Sequence, residues 1–160
     1  MKKQTTTEKI GSGLKMVSVN RRARFEYEIE ESYEAGLELV GTEVKSLRMG
    51  RVNMQDAFCR IENGEGWLYN MHVSPFEQGN RFNVEPRRKR KLLLRKSEIA
   101  ELRINTDQKG LTIVPLRIYF LRGYAKIEIA LARGKKLHDK RESIADRDRD
   151  REAQREMSER

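Results

Sequence analysis

The stretch Gly41-Thr42-Glu43-Val44-Lys45-Ser46-Leu47-Arg48-Met49-Gly50-Arg51 decides how the rest of the chain is read. An apolar run, Leu37–Val40, feeds into it, and a second run, Asp56–Ile61, leaves it. Thr42 is expected to cap a helix, because its hydroxyl can accept from an orphan backbone N–H one turn on. Glu43 then falls in the first turn, where the helix dipole favours an anion. Val44 and Leu47 share a face, while Lys45, Arg48 and Arg51 form a basic row on another. Gly50 can take the left-handed conformation that ends a helix. The stretch therefore reads as strand, short basic helix, strand.

Working outward, alternation dominates. Phe25, Tyr27 and Ile29 are predicted on one side of a strand, with Glu26, Glu28 and Glu30 on the other. Glu34-Ala35-Gly36 reads as a turn into the strand Leu37–Val40. Phe58–Glu62 and a strand presenting Trp67, Tyr69, Met71 and Val73 on one face flank a turn at residues 63–66. His72 is expected to point outward. Ser97 is predicted to cap a helix containing Ile99 and Leu102. Leu111–Leu121 forms a long strand in which Pro115, unable to donate to a ladder, demands an edge or a bulge. Ala125, Ile127, Ile129 and Leu131 face inward on the last strand, opposite Lys126 and Glu128. About six strands with short turns, and no regular βαβ alternation, predict a mainly β protein: an antiparallel barrel with two or three short helices. Closure would remove exposed edges.

The chain has 160 residues, enough for one domain with tails. Residues 1–15 are polar and expected to be a disordered arm, residues 16–132 the barrel, and residues 133–160 a tail. The tail holds ten Lys or Arg and eight Asp or Glu, but only Leu137, Ile144 and Met157 as large apolar side chains. A helix there has no face to pack, so it is predicted to be disordered in the free protein and helical on a partner. A formal charge of +9 points to an anionic partner, nucleic acid first. No membrane span or secretion signal is evident, so a cytoplasmic protein is expected.

Catalytic chemistry finds little support. His72 and His138 are the only histidines, and Cys59, the only cysteine, reads as a small buried hydrophobe. No metal-ligand cluster or phosphate loop is present in the sequence. An enzyme, a metal and a cofactor are accordingly not expected. Three basic segments, Asn20–Arg24, Lys45–Arg51 and Arg81–Lys91, are available to phosphates if the barrel brings them together. Charge nominates Arg21, Arg22, Lys45, Arg48, Arg87 and Arg90 as phosphate contacts.

Five pieces carry a family resemblance: NRRARFEYEI (20–29), EAGLELVGTEVKSLRMGRVN (34–53), RKRKLLLRKSEI (88–99), GLTIVPLRIYF (110–120) and GKKLHDKRE (134–142). With them the chain resembles the SmpB family of SsrA-binding proteins, partners of transfer-messenger RNA in bacterial ribosome rescue. The resemblance implies an OB-like barrel that binds the tRNA-like domain of transfer-messenger RNA. It matches Asn20, Glu34 and Leu93 to positions tied to RNA binding: Asn20 as a polar contact, Glu34 as an acceptor or loop orienter, Leu93 as a support for the basic loop. It further implies that the tail enters the empty mRNA path and decoding centre of a stalled ribosome. Gly134, Lys135, Lys136, His138, Asp139, Lys140 and Arg141 match that motif. Delivery by elongation factor Tu with GTP, through the RNA, and a monomeric adaptor are implied as well. The sequence departs from the family's basic bias at Asp148 and Asp150, and at Glu156 where an apolar residue is expected.

Overall fold

Nine strands and four helices follow one another in this computed structural model, which describes residues 13–77, 83–135 and 137–158. The order is β1 (Leu14–Val19), α1 (Arg21–Glu26), β2 (Tyr27–Leu37), α2 (Gly41–Arg48), β3 (Val52–Asn53), β4 (Phe58–Glu62) and β5 (Glu65–Tyr69). Then come β6 (His72–Val73), β7 (Arg90–Leu93), α3 (Lys96–Lys109), β8 (Thr112–Leu121), β9 (Tyr124–Gly134) and α4 (Leu137–Ser158). All pairings are antiparallel. Strands β8, β4, β5, β7, β2 and β9 run side by side, and β9 pairs back onto β8, so six strands close a barrel. Strand β1 adds to the far half of β8, and β3 pairs with β6 as a separate ribbon. The sequence-based expectation of a six-stranded antiparallel barrel holds.

The barrel interior is filled by Tyr33, Ala35 and Leu37 of β2, Leu68 of β5, Leu92 of β7, Ile113, Ile118 and Phe120 of β8, and Ile127, Ile129 and Leu131 of β9. Leu47 on α2 and Leu102 on α3 pack against the same core. A second cluster lies on the outside, where Ala23 of α1 packs on Val114, Leu116, Ala130 and Ala132. The small side chains Ala130 and Ala132 let the helix backbone approach the sheet.

Two bulges set which residue faces which way. In β8 the register against β9 shifts between Pro115 and Arg117, as the proline required. Ile113 and Ile118 are five apart yet both point inward, because the extra residue reverses the parity. In β2 the shift lies between Ile29 and Glu31. Ile29 therefore packs outside beneath α1, while Tyr33, four residues on, points into the barrel.

Several local expectations are corrected. Phe25 and Glu26 do not start a strand but close helix α1: Arg22 Nε donates to Glu26 Oε1 at 2.7 Å, one turn on, and Ala23 packs on the sheet beneath it. Residues 34–36 are not a turn but lie within the last part of β2. Gly36 lies opposite Leu93 of β7, and a Cβ added there would meet Leu93 Cβ at 3.0 Å. Leu37 ends that strand rather than opening a new one.

Helix α2 begins one residue before Thr42, with Val40 as its cap, because Glu43 reaches back to accept from the Val40 N–H at 3.0 Å. Helix α3 likewise starts at Lys96, with Glu98 accepting from the Arg95 N–H at 3.0 Å, so Ser97 is not its cap. The predicted strand 67–73 is broken by Asn70 at φ 64, which places Leu68, Met71 and Val73 in the core and leaves Trp67 and Tyr69 outside. Glu128, expected outward, does face out but is buried against Arg117. Four helices form rather than two or three, and the fourth is long.

Candidate nucleic-acid interface

The outer surface of β2, β9 and β8 is half covered and half open. Helix α1 covers the end that carries Ala130 and Ala132. At the other end the register aligns Leu93 of β7, Gly36 of β2, Lys126 of β9, Tyr119 of β8 and Met16 of β1 in one row. The neighbouring row is Glu34, Glu128 and Arg117. Leu93 is 52% exposed and Met16 40%, so apolar atoms are presented to solvent beside charges. Lys126 meets no carboxylate among the described residues.

The polar groups of this face are held in place. The Tyr119 hydroxyl donates to Glu34, and Arg117 donates to Glu128 while its guanidinium lies 5.9 Å from the Tyr119 ring. Burial, reinforced by the Glu34 carboxylate, pushes the Tyr119 phenol well above its ordinary range, so it remains a donor. Glu34 is thus fixed on one side by Tyr119 and keeps acceptor capacity for a ligand. An anion next to a lysine and an apolar contact suits the 2′-hydroxyls and base amino groups of folded RNA better than a bare phosphate.

Asn20 stands at the border of the two halves. It is buried, and its amide donates to the Pro115 carbonyl at 2.9 Å and to the Met54 carbonyl at 3.4 Å. Its own N–H donates to the Leu116 carbonyl at 2.7 Å. The side chain locks the start of α1 to the bulge in β8. Arg21 and Arg22 follow it, both exposed, with Arg22 shared between Glu26 and Asp56.

A second construction organises the basic loop. Glu43, buried in the first turn of α2, accepts from Arg90 Nε at 2.6 Å and from two nitrogens of Arg88. Arg90 is fully buried, and its remaining donors go to the carbonyls of Met71 at 2.7 Å, Pro86 at 3.0 Å and Arg88 at 3.1 Å. Burial alone would raise the Glu43 carboxyl. The Arg88 hydrogen bond, the Val40 N–H and Arg90 together outweigh it and hold the group below its ordinary value.

The expectation that Arg90 meets a phosphate is therefore corrected: its five donors are turned inward, because an acid 47 residues away in sequence is waiting there. Arg87 and Lys89 keep exposed positions on the loop. Lys45 and Arg48 are exposed on α2, resting 5.3 Å from the Phe76 ring and 5.9 Å from the Phe120 ring. The fold thus joins two of the three basic segments through Glu43. The third, on α1, is tied to Met54 and Asp56, in the loop that follows α2 and β3.

Three kinds of likeness to known proteins stand beside this arrangement. A family model described as SmpB protein matches residues 17–159. The chain belongs to the SmpB family. A SsrA-binding protein of Carboxydothermus hydrogenoformans is 62% identical over 86% of this chain and 93% of its own length. Another, from Desulforudis audaxviator, is 64% identical over 86% of this chain and 90% of its own. The family likeness extends to three dimensions. A solved chain described as "tmRNA-SmpB: a journey to the center of the bacterial ribosome" superposes with a TM-score of 0.65 at 55% identity, covering 80% of this chain and 94% of that one.

Within this family frame, the residues matched to RNA binding divide by position. Glu34 and Leu93 lie on the open face, and Asn20 supports it from its edge. Sequence reasoning missed Tyr119, Arg117, Glu128 and Lys126, which sit on that face, and Glu43, which orders the loop. Alternation set Lys126 and Glu128 on the outer side of β9 without marking them as part of a site; Arg117 and Tyr119 follow the bulge at Pro115, which sets their facing, and no local signal links Glu43 to Arg90.

Gly134 ends β9, exposed, and the Lys135 N–H donates to the Glu26 carbonyl at 2.9 Å, so the tail leaves beside α1. Arg141 is exposed on α4. Residues 1–12, Arg81, Lys136 and the side chains of His138, Asp139 and Lys140 lie outside the described residues. Leu14 and Lys15, placed by the sequence in the arm, belong to β1. Among the described residues no cluster of metal ligands occurs, and no helix is long and apolar enough to cross a membrane.

Proposed function

We propose that this protein binds the tRNA-like domain of transfer-messenger RNA and serves in trans-translation, the rescue of ribosomes stalled on mRNA without a stop codon. The observation that carries this reading is the open sheet face on which Glu34, held by Tyr119, sits beside Leu93 packed on Gly36. Two positions the family likeness ties to RNA, far apart in sequence, share one surface there. Asn20 and the Glu43–Arg90 pair act from below that surface as positioning residues. Arg21, Arg22, Lys45, Arg48 and Arg87 supply phosphate contacts around it.

The tail supplies the second half of the mechanism. Residues 133–160 enter the vacant mRNA channel and decoding centre, with residues 134–141 leading. The separable charge of α4 supports this: Asp146–Arg149 at 3.4 Å is a surface pair, and residues 144–155 are exposed throughout. A helix with no packed face exchanges readily with coil, as a segment threading a channel must. Elongation factor Tu with GTP delivers the complex through the RNA. The protein acts as a monomeric adaptor rather than as an enzyme.

An electrophoretic shift with purified full-length protein decides the first part. Tighter binding to the tRNA-like domain of transfer-messenger RNA than to an elongator tRNA is expected; equal affinity overturns the reading. Removing residues 137–160 is expected to leave that affinity unchanged and abolish tagging on ribosomes programmed with a truncated mRNA.

A further inference from the structure

Around the barrel from Glu34, the outer face of β4, β5 and β7 carries three aromatic rings that belong to neither core cluster. Phe58 pairs with Tyr69 and Arg60 with Trp67 across β4 and β5, and Trp67 pairs with Lys91 across β5 and β7. The Phe58 and Tyr69 rings stack in parallel, 5.3 Å apart and inclined by 6°. Arg60 lies 5.2 Å from the Phe58 ring and 6.0 Å from that of Tyr69, while Lys89 lies 4.3 Å from Trp67 and 6.0 Å from Tyr69.

Cations and rings thus alternate over three strands. Two carboxylates border the set: Glu62 takes the Tyr69 hydroxyl, and Glu65 meets Lys91 at 3.3 Å. Arg60 and Lys89 pair with no acid among the described residues. Beside Phe58 and Arg60, where β4 and β8 share a single register pair, a cleft of about 510 Å³ opens against Thr106, Asp107 and Thr112. That volume falls in the range of small-ligand sites and admits a nucleotide.

A sheet face needs no such rings for stability when its inner side is already filled by Cys59, Leu68 and Leu92. Half-exposed rings interleaved with unpaired cations match the two faces of an unpaired nucleotide, a flat base and an anionic phosphate. We propose that Phe58, Tyr69 and Trp67, with Arg60 and Lys89, form a stacking platform for a single-stranded RNA segment, distinct from the Glu34 face. The inference rests on the reading that this protein's ligand is RNA. A base stacks on the ring now covered by Lys89, and the displaced ammonium turns to the adjoining phosphate. The charge pattern favours RNA over an acidic peptide, which would use the cations and leave the rings idle.

Trp67 is the only tryptophan of the chain, so its emission reports on this platform alone. The full-length protein is titrated with an eight-nucleotide oligoadenylate, with an RNA duplex of equal charge, and with an oligoglutamate peptide. Saturable quenching by the oligoadenylate only is expected. Tyr69→Ala should weaken that binding about tenfold, as loss of one base–ring stack does. Arg60→Gln with Lys89→Gln, which leaves the rings in place, should flatten the salt slope by about 1.4. The absence of quenching, or equal quenching by duplex or peptide, overturns the platform. In parallel the same variants are tested for binding the tRNA-like domain. Retained domain binding without quenching by the oligoadenylate sinks this inference alone, whereas loss of domain binding by the unaltered protein sinks the proposed function.

Discussion

The Glu43–Arg88–Arg90 cluster and helix α4 are built from the same residue types and obey opposite rules. In the cluster, a carboxylate and a guanidinium are removed from water and satisfied by one another and by four backbone groups. In α4, acids and bases alternate along residues 144–155, which are exposed, and Arg147 lies 4.8 Å from the Phe25 ring of α1. A buried ion pair is a weak source of net stability, but breaking it strands a charge in low dielectric. A surface pair contributes little and costs little to lose. The body of the protein therefore uses charge to fix geometry, while along α4 residues 144–155 keep their charges in water.

Breaking the cluster has the largest expected effect. Glu43→Gln leaves Arg90 buried without its counter-charge and should cost about 3–5 kcal/mol in urea unfolding. A loss below 1 kcal/mol would mean the guanidinium finds water, and the contrast with α4 would collapse. The same pair has an acid signature. The Glu43 carboxyl is held below the ordinary carboxylate range by Arg88, the Val40 N–H and Arg90, so its contribution is fully present above the unfolded-state pKa and is lost as pH falls through the lowered folded value. Wild-type urea midpoints should fall faster than those of Glu43→Gln in that acid window, and parallel profiles would refute the linkage.

Gly36→Ala places a methyl 3.0 Å from Leu93 Cβ. Overpacking of this kind costs about 1–3 kcal/mol. Displacement of Leu93 should also lower affinity for the tRNA-like domain several-fold, read by electrophoretic shift; unchanged affinity would remove Leu93 from the interface. Smallest of all, Asp146→Asn on α4 should change stability by no more than about 0.5 kcal/mol. A larger change would show that the tail is built into the body.

The contrast also explains what could be read in advance. Alternation at 125–131, the bulge demanded by Pro115, and the helix end at Gly50, which takes φ 71, were legible because each is a local rule about backbone or period. The open face was legible only in fragments. Glu34 and Gly36 look like a turn until Leu93 is set beside them, and Arg90 looks like a surface cation until Glu43 is found beneath it.

What the sequence by itself determined is the kind of protein: strand-rich, strongly basic, closed as a barrel, with a highly charged C-terminal segment. Periodicity and composition suffice for that, since they act on residues close together. Which side of each strand meets solvent was decided by tertiary structure alone. One extra residue in β2 and one in β8 reverse the parity of everything after them. Only the closing of β9 onto both strands fixes where those residues go.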